Sequence, residues 1–328
     1  MDNPMALLET IRSFMKSRII LTGVELDLFT RVSQGLDTTE ALAGRAGLDL
    51  RATTRLLDAL VTHELLEKSD GRYRLTDAGT FLAADHPRTV LPMALHMNEL
   101  WRTWSGLTAA VTHGANPGRV ASAARDEGAI RAFIGAMHVV GERLSREISA
   151  SLDLSSFGRL LDVGGASGTY TIAFLESNPQ MTAVIFDLAH VIGMARDHLT
   201  RAGLADRVAL VSGDFYTDPL PQGCDLGLLS AIIHQNSPGQ NEALFRKVYQ
   251  ALEPDGMLII RDHIMDADRT HPPDGAIFAL NMLVGTEGGD THTFEDVQQG
   301  LAAAGFTDIR LVRRGENMDC LVTARKPN

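Results

Sequence analysis

The stretch Leu161-Asp162-Val163-Gly164-Gly165-Ala166-Ser167-Gly168-Thr169 decides the fold. Its opening residues, with Arg159 and Leu160, make a short apolar strand, and the small residues behind them let the chain turn tightly. A helical pattern then runs over residues 169–176. Such a turn allows a ligand to approach the backbone closely. The spacing is not that of a dinucleotide cradle. Counted from Gly164, the second and third glycines of G-x-G-x-x-G would fall on Ala166 and Thr169, which disfavours a nicotinamide dehydrogenase.

Outward from this turn, short apolar strands alternate with helices. Strands are expected at Arg159–Val163, 183–186, Val208–Ser212, 225–229 and 257–262, with helices at 169–176, 191–202 and 240–252. This alternation predicts an α/β fold: a Rossmann-like, doubly wound parallel sheet over residues 151–328. Such sheets bind ligands beyond the carboxyl ends of their strands, so the chemistry is expected there. Asp187 closes the second strand, where a carboxylate can accept both hydroxyls of a ribose. Gly213-Asp214-Phe215 follows the third, and a carboxylate beside an aromatic ring suits an adenine. Taken singly, each is also a reasonable helix cap or core residue; with Asp162 they make three acidic positions on consecutive strand ends, which point to one site.

Upstream, residues 5–32 carry apolar side chains at helical spacing, more than one small domain needs to bury. A helix capped by Thr38, a second over residues 48–65, and strands at 66–68 and 73–75 around Ser69-Asp70-Gly71 give a winged-helix pattern over residues 1–90. A DNA-binding regulator is one reading of it. These 90 residues hold 11 Lys and Arg against 13 Asp and Glu, however, and phosphate contacts need a basic face. Dimerisation fits the apolar surplus better. Residues 91–150 read as connecting helices, whose His96, Trp101, Phe133 and Met137 are candidates to line an apolar pocket.

Composition agrees. The 328 residues suffice for two domains, and a net charge of −11 argues against a nucleic-acid partner. Two distant cysteines, Cys224 and Cys320, form neither a disulfide framework nor a zinc cluster and suit a reducing cytoplasm. The first residues lack the pattern of a signal peptide, and no apolar run is long enough to cross a membrane.

The sequence resembles the class I S-adenosylmethionine (SAM)-dependent methyltransferases, specifically the large O-methyltransferases that include plant caffeate-type and bacterial natural-product enzymes. The likeness lies in Leu161–Gly168 (similar to V-D-V-G-G-G-x-G), in Phe186-Asp187-Leu188-Ala189-His190-Val191-Ile192 (F-D-L-P-H-V-I), and in Gly213-Asp214-Phe215 (G-D-M/F-F). It also lies in Gly288-Gly289 before an acidic helix ending at Gly305-Phe306, and it covers nearly the whole chain. The resemblance implies SAM as cofactor, a homodimer paired through the N-terminal region, and a small-molecule acceptor. It places the cofactor at Asp162, Gly164, Gly165, Gly168, Asp187, Leu188, Gly213, Asp214, Phe215 and Ser230. The glycines would surround the methionine end, Asp187 the ribose, and Asp214 and Phe215 the adenine.

In the family's L-H-D-W segment the His is a general base, and His234 in Ile233-His234-Gln235-Asn236 aligns with it. Phe278, Asn281 and Met282 resemble its acceptor-binding helix. There are departures. Ala166 stands where a third glycine is usual, and is tolerated if its φ is negative. Ser230 stands where plant members often have Lys. Gln235 and Asn236 replace Asp and Trp, and Thr291 takes the place of an acidic residue, so Glu287 and Asp290 are the expected orienters of His234. Thr293 and Asp296 form a capping-box pattern. No metal site is expected; Asp262, His263 and Asp266 follow the fifth strand without being marked as ligands. The function implied is O-methylation of a small aromatic or polyketide-like molecule. The alternatives are N- or C-methylation, or non-methylating SAM chemistry on the same scaffold.

Overall fold

The structure is a computed structural model that describes residues 3–119 and 127–328. The chain divides into two compact units, Met1–Arg102 with Asp126–Val139, and Thr103–Arg125 with Val140–Asn328.

The first unit holds α1 (Pro4–Arg12), α2 (Phe14–Glu25), α3 (Leu28–Ser33), α4 (Thr39–Ala46), α5 (Leu50–Thr62), β1 (Leu66–Ser69), β2 (Arg72–Leu75) and α6 (Asp77–Thr80). The helical spacing over residues 5–32, which reads as one helix, is divided among three. The chain turns at Ser13, whose hydroxyl bonds the Thr10 carbonyl, and again at Asp27, which takes a left-handed φ of 54° that an α-helix cannot continue through. Thr38 caps α4 as expected, accepting from the Ala41 N–H, and Asp49 caps α5 in the same way. β1 and β2 pair antiparallel, and both residues of the turn between them, Asp70 and Gly71, have positive φ, the requirement of a tight hairpin turn. Val24, Leu28, Phe29, Leu42, Leu57, Leu60, Leu66 and Tyr73 form its core. By contrast Met5, Leu7, Leu8, Ile11, Phe14 and Met15 are exposed along α1 and the start of α2.

Two helices cross the division between the units, α7 (Leu91–Trp104) and α9 (Glu127–Ser151), and α8 (Leu107–His113) lies in the second unit. There follow β3 (Arg159–Val163), α10 (Thr169–Ser177), β4 (Thr182–Asp187), α11 (Ile192–Arg201), β5 (Val208–Ser212), β6 (Cys224–Ser230), α12 (Pro238–Ala251), β7 (Leu252–Asp262), β8 (Ile264–Met265), α13 (Pro273–Gly285), β9 (His292–Thr293), α14 (Phe294–Ala304), β10 (Thr307–Arg313) and β11 (Cys320–Arg325). The seven-stranded sheet runs β10-β11-β7-β6-β3-β4-β5. β3 to β7 are parallel, while β11 and β10 add antiparallel strands at one edge. The parallel strands are apolar on both faces because both are covered: Leu161, Val163, Leu229 and Ile260 belong to one core, Leu160, Ile185, Leu228 and Ile259 to the other. The chain steps outward from β3 to β5, then returns to the other side of β3 with β6. The switch point therefore lies between the ends of β3 and β6, where a doubly wound sheet opens a ligand crevice.

Candidate active site

The rim is built on backbone hydrogen bonds that fasten the strand ends together. The Gly164 N–H donates to the Phe186 carbonyl (2.8 Å) and the Gly213 N–H to the Asp187 carbonyl (3.0 Å). The Asp187 carboxylate accepts from the Ala166 N–H (2.7 Å) and from the Leu188 N–H (2.7 Å), one on each oxygen. Burial raises its pKa, opposed by these two donors. Each oxygen keeps acceptor capacity on its open side. Gly164 needs its glycine twice over: φ is +71°, and a Cβ would stand 2.4 Å from Ile232. Gly168, at φ +73°, opens α10.

Two expectations are corrected here. Ala166 has φ +41°, so it occupies the left-handed region and not the negative φ that would suit it; its N–H is held there by Asp187. Asp162 is 1% exposed beneath the turn, accepts from the Thr171 hydroxyl (2.7 Å), and would lie 2.8 Å from a Cβ on Gly165. It supports the glycine turn from below and does not face a ligand. Burial pushes its carboxyl up to about 7.

Asp214 accepts from the Tyr216 N–H (2.8 Å), shaping its own turn, and the half-buried Phe215 lies next to Gly164. Ser230 is half-buried at the end of β6, and its hydroxyl accepts from Nε of Arg261 (2.9 Å) on the adjacent strand. That buried guanidinium also donates to the Met318 carbonyl and lies over the Tyr170 ring. A positive charge thus stands beside Ser230 on the neighbouring strand, at a residue that the sequence reading did not single out. Glycines at positive φ, a carboxylate with free acceptor sites, an aromatic ring beside the turn and a nearby cation form a donor set that fits SAM.

His234 sits in a 3-10 turn, Ile233–Gln235, directly after β6. Its Nδ1 lies 2.9 and 3.0 Å from the two oxygens of Asp262, the last residue of β7. The parallel register that pairs Ser230 with Arg261 brings these ends together. Asp262 is wholly buried, and burial alone would raise its pKa; the His234 ring, Arg261 and the His263 N–H outweigh that and hold it below the usual range. With Nδ1 engaged, Nε2 is the nitrogen left for an acceptor. The Phe278 ring meets His234 edge-on at 4.9 Å and lies 5.0 Å from the buried His263.

Glu287 and Asp290 are not the orienters. The Glu287 side chain is 91% exposed and 3.9 Å from Arg119, and the Asp290 carboxylate pairs with Arg269 (3.1 Å). Asp290 helps in another way, its N–H donating to the His234 carbonyl (2.9 Å). On α13, the side-chain Oδ1 of Asn281 accepts from the Trp104 indole (2.9 Å), and Met282 is buried. Thr293 and Asp296 form the expected capping box. His96, Trp101 and Met137 are half-buried in the first unit, where Arg18 lies over the Trp101 ring; the Phe133 side chain falls outside the described residues. Among the described residues no group of three or more His, Cys, Asp or Glu is arranged to hold a metal ion.

Comparison with known proteins agrees with the fold. An O-methyltransferase domain matches residues 104–307, and an O-methyltransferase dimerisation domain matches residues 8–85. The chain is 32% identical to the tetracenomycin polyketide synthesis 8-O-methyl transferase of Streptomyces glaucescens, over 99% of this chain and 97% of that one. It is 30% identical to the 3-hydroxy-5-methyl-1-naphthoate 3-O-methyltransferase of Streptomyces sahachiroi, over 94% and 91%. The crystal structure of human N-acetylserotonin methyltransferase in complex with SAM superposes with a TM-score of 0.84 at 27% identity, covering 100% of this chain and 99% of that one. The protein belongs to the O-methyltransferase family, and it is an enzyme whose cofactor is SAM. No helix among the described residues is long and apolar enough to cross a membrane.

Proposed function

We propose that the protein methylates a hydroxyl of a small aromatic, polyketide-like acceptor, with His234 as the general base. The observation that carries this reading is the pairing of His234 Nδ1 with both oxygens of the buried Asp262. Bound SAM supplies an electrophilic methyl group. Asp187 would hold its ribose, Asp214 and Phe215 its adenine, and Gly164, Gly165 and Gly168 its methionine end, with Ser230 and Arg261 beside it.

The remaining work falls to the chain. A phenol has a pKa near 10, so a base within reach of the hydroxyl raises its nucleophilicity as the proton leaves. Asp262 fixes His234 in the tautomer whose Nε2 can accept that proton, and its negative charge then stabilises the imidazolium. Phe278, 4.9 Å from the imidazole, offers a flat apolar wall, and Asn281 is held on the same helix by Trp104. A fused-ring phenol is what such a wall suits, and the two bacterial relatives are named for polyketide and naphthoate acceptors. The exposed apolar residues of α1 and α2 fall partly within the matched dimerisation domain, and we assign them to pairing with a second copy. The two free, buried cysteines suit a reducing cytoplasm, and the relatives suit a role in secondary metabolism.

The test is formation of S-adenosylhomocysteine from SAM with a panel of hydroxynaphthoates and related phenols. His234→Ala is expected to lower turnover by roughly 10²–10⁴ while still binding S-adenosylhomocysteine. Full activity in that variant removes His234 as the base. Transfer to amines but not to phenols removes the acceptor class.

A further inference from the structure

Tyr216 follows Phe215 on the rim, the two ring centroids 4.5 Å apart, and is 46% exposed. Its hydroxyl donates to Oδ1 of Asn236 at 2.5 Å. Asn236 is wholly buried and stands two residues beyond His234. Its amide nitrogen donates to Oδ1 of the buried Asn241 (2.9 Å), and the Asn241 amide donates in turn to the carbonyl of Ile233 (2.8 Å), the residue just before His234. The buried His292 ring closes the group, its Nε2 3.0 Å from the Asn241 amide.

Two features set this chain apart from ordinary core packing. First, the bonds from Tyr216 through Asn236 and Asn241 run one way, from the exposed phenol inward to the Ile233 carbonyl, so each donor strengthens the next. Second, it grips the catalytic turn from both sides, at Ile233 and at Asn236. Buried amides are costly unless satisfied, and here the first donor comes from a side chain standing on the cofactor rim. The rim segment does not need that hydroxyl for its own shape. Nζ of Lys247 already holds it through the carbonyls of Phe215, Tyr216 and Asp218, each at 2.9 Å.

We propose that Tyr216 is a positioning residue: its ring senses the nucleoside on the rim, and its hydroxyl passes that contact through Asn236 and Asn241 to the turn that carries His234. This rests on the reading of His234 as the base. The class of ligand sensed is an adenosine moiety, and the effect is on the base and not on the bound nucleoside alone.

The experiment uses the full-length protein and S-adenosylhomocysteine as the probe, at one fixed pH. The imidazole Hε1 resonance of His234, assigned with His234→Ala, is followed by NMR on addition of the probe; affinity is read by calorimetry. In wild type the resonance moves on binding. In Tyr216→Phe, which keeps the ring and the Lys247 anchor, the affinity stays within a few-fold of wild type, because the Tyr216–Asn236 bond is present before the probe binds. The displacement of the His234 signal shrinks by at least half. An undiminished His234 response in Tyr216→Phe overturns the proposal, whether or not affinity falls. An affinity loss alone would make Tyr216 a wall of the site and nothing more. Failure of the general-base reading shows elsewhere, as methyl transfer retained by His234→Ala.

Discussion

The α-carbon of Gly289 is packed against the carbonyl oxygen of His234: a Cβ built on it would stand 2.6 Å from that oxygen. The contact is with backbone, so no side chain can swing away to relieve it. Gly289→Ala is therefore expected to displace the catalytic turn. Stability should fall by about 1–3 kcal/mol, as for overpacking in a core. Turnover should fall at least roughly tenfold, because small misplacements of a catalytic group are costly. Binding of S-adenosylhomocysteine, measured alongside, should change little. Equal losses in binding and turnover would mean that the whole rim moved.

Asp262→Asn keeps the shape of the side chain and removes the charge that pairs with His234. Turnover is expected to drop by about 10²-fold, within the range that general-base catalysis contributes. The acid side of the pH profile should change as well, because the imidazolium loses its counter-charge. Glu287→Gln, altering an exposed residue away from His234 Nδ1, should leave both turnover and profile near wild type. If Glu287→Gln were the more damaging of the two, Asp262 would not be the orienter.

Asp162 gives a pH dependence whose sign can be worked out. Its carboxyl is pushed up to about 7 in the folded protein, against about 3.9 when unfolded. Between those values the native state holds the extra proton, so this group lowers stability as pH rises from about 4 to 7. Asp162→Asn cannot ionise and can still accept from Thr171. The stability of the variant relative to wild type should climb by about 1.4 kcal/mol per pH unit across that window and level off above it. Urea unfolding at several pH values measures this. Parallel pH curves for the two proteins would show that Asp162 is not the titrating group.

Ala166 stores strain at φ +41°. A left-handed conformation costs a non-glycine residue about 1–2 kcal/mol, part of which glycine returns as greater freedom in the unfolded chain. Ala166→Gly is expected to raise stability by about 0.5–1 kcal/mol, with no loss of S-adenosylhomocysteine affinity. A lower melting temperature in the variant would count against that backbone geometry.

Much of the site could be read from the chain because each piece is continuous in sequence. Gly164 to Gly168, Asp187, Asp214 with Phe215, and His234 each follow an apolar strand, and a doubly wound sheet gathers such ends by construction. What escaped depends on register between neighbours. Asp262 reaches His234, and Arg261 reaches Ser230, only because β6 and β7 lie side by side with Ser230 opposite Arg261. In linear order Asp262 lies 28 residues from His234 and reads as an ordinary strand end, while Glu287 and Asp290 stand beside a recognisable Gly-Gly pair. The break at Asp27 was hidden for another reason: apolar spacing on both sides of it suits a helix, and nothing in that spacing reports a positive φ. Tyr216 and Asn236 are 20 residues apart and became partners only once the ends of β5 and β6 were seen together.

With the apolar row from Met5 to Met15 assigned to pairing with a second copy, the proposed dimer makes stability a matter of population as well as of sequence. Such pairing ties the folded fraction to how many copies are nearby. The melting temperature should rise with the logarithm of protein concentration. Meanwhile Leu8→Glu with Ile11→Glu should lower the melting temperature and abolish that dependence. For the cell, a dilute pool of this enzyme is then a different material from a crowded one, and expression level acts as a stabilising variable in its own right.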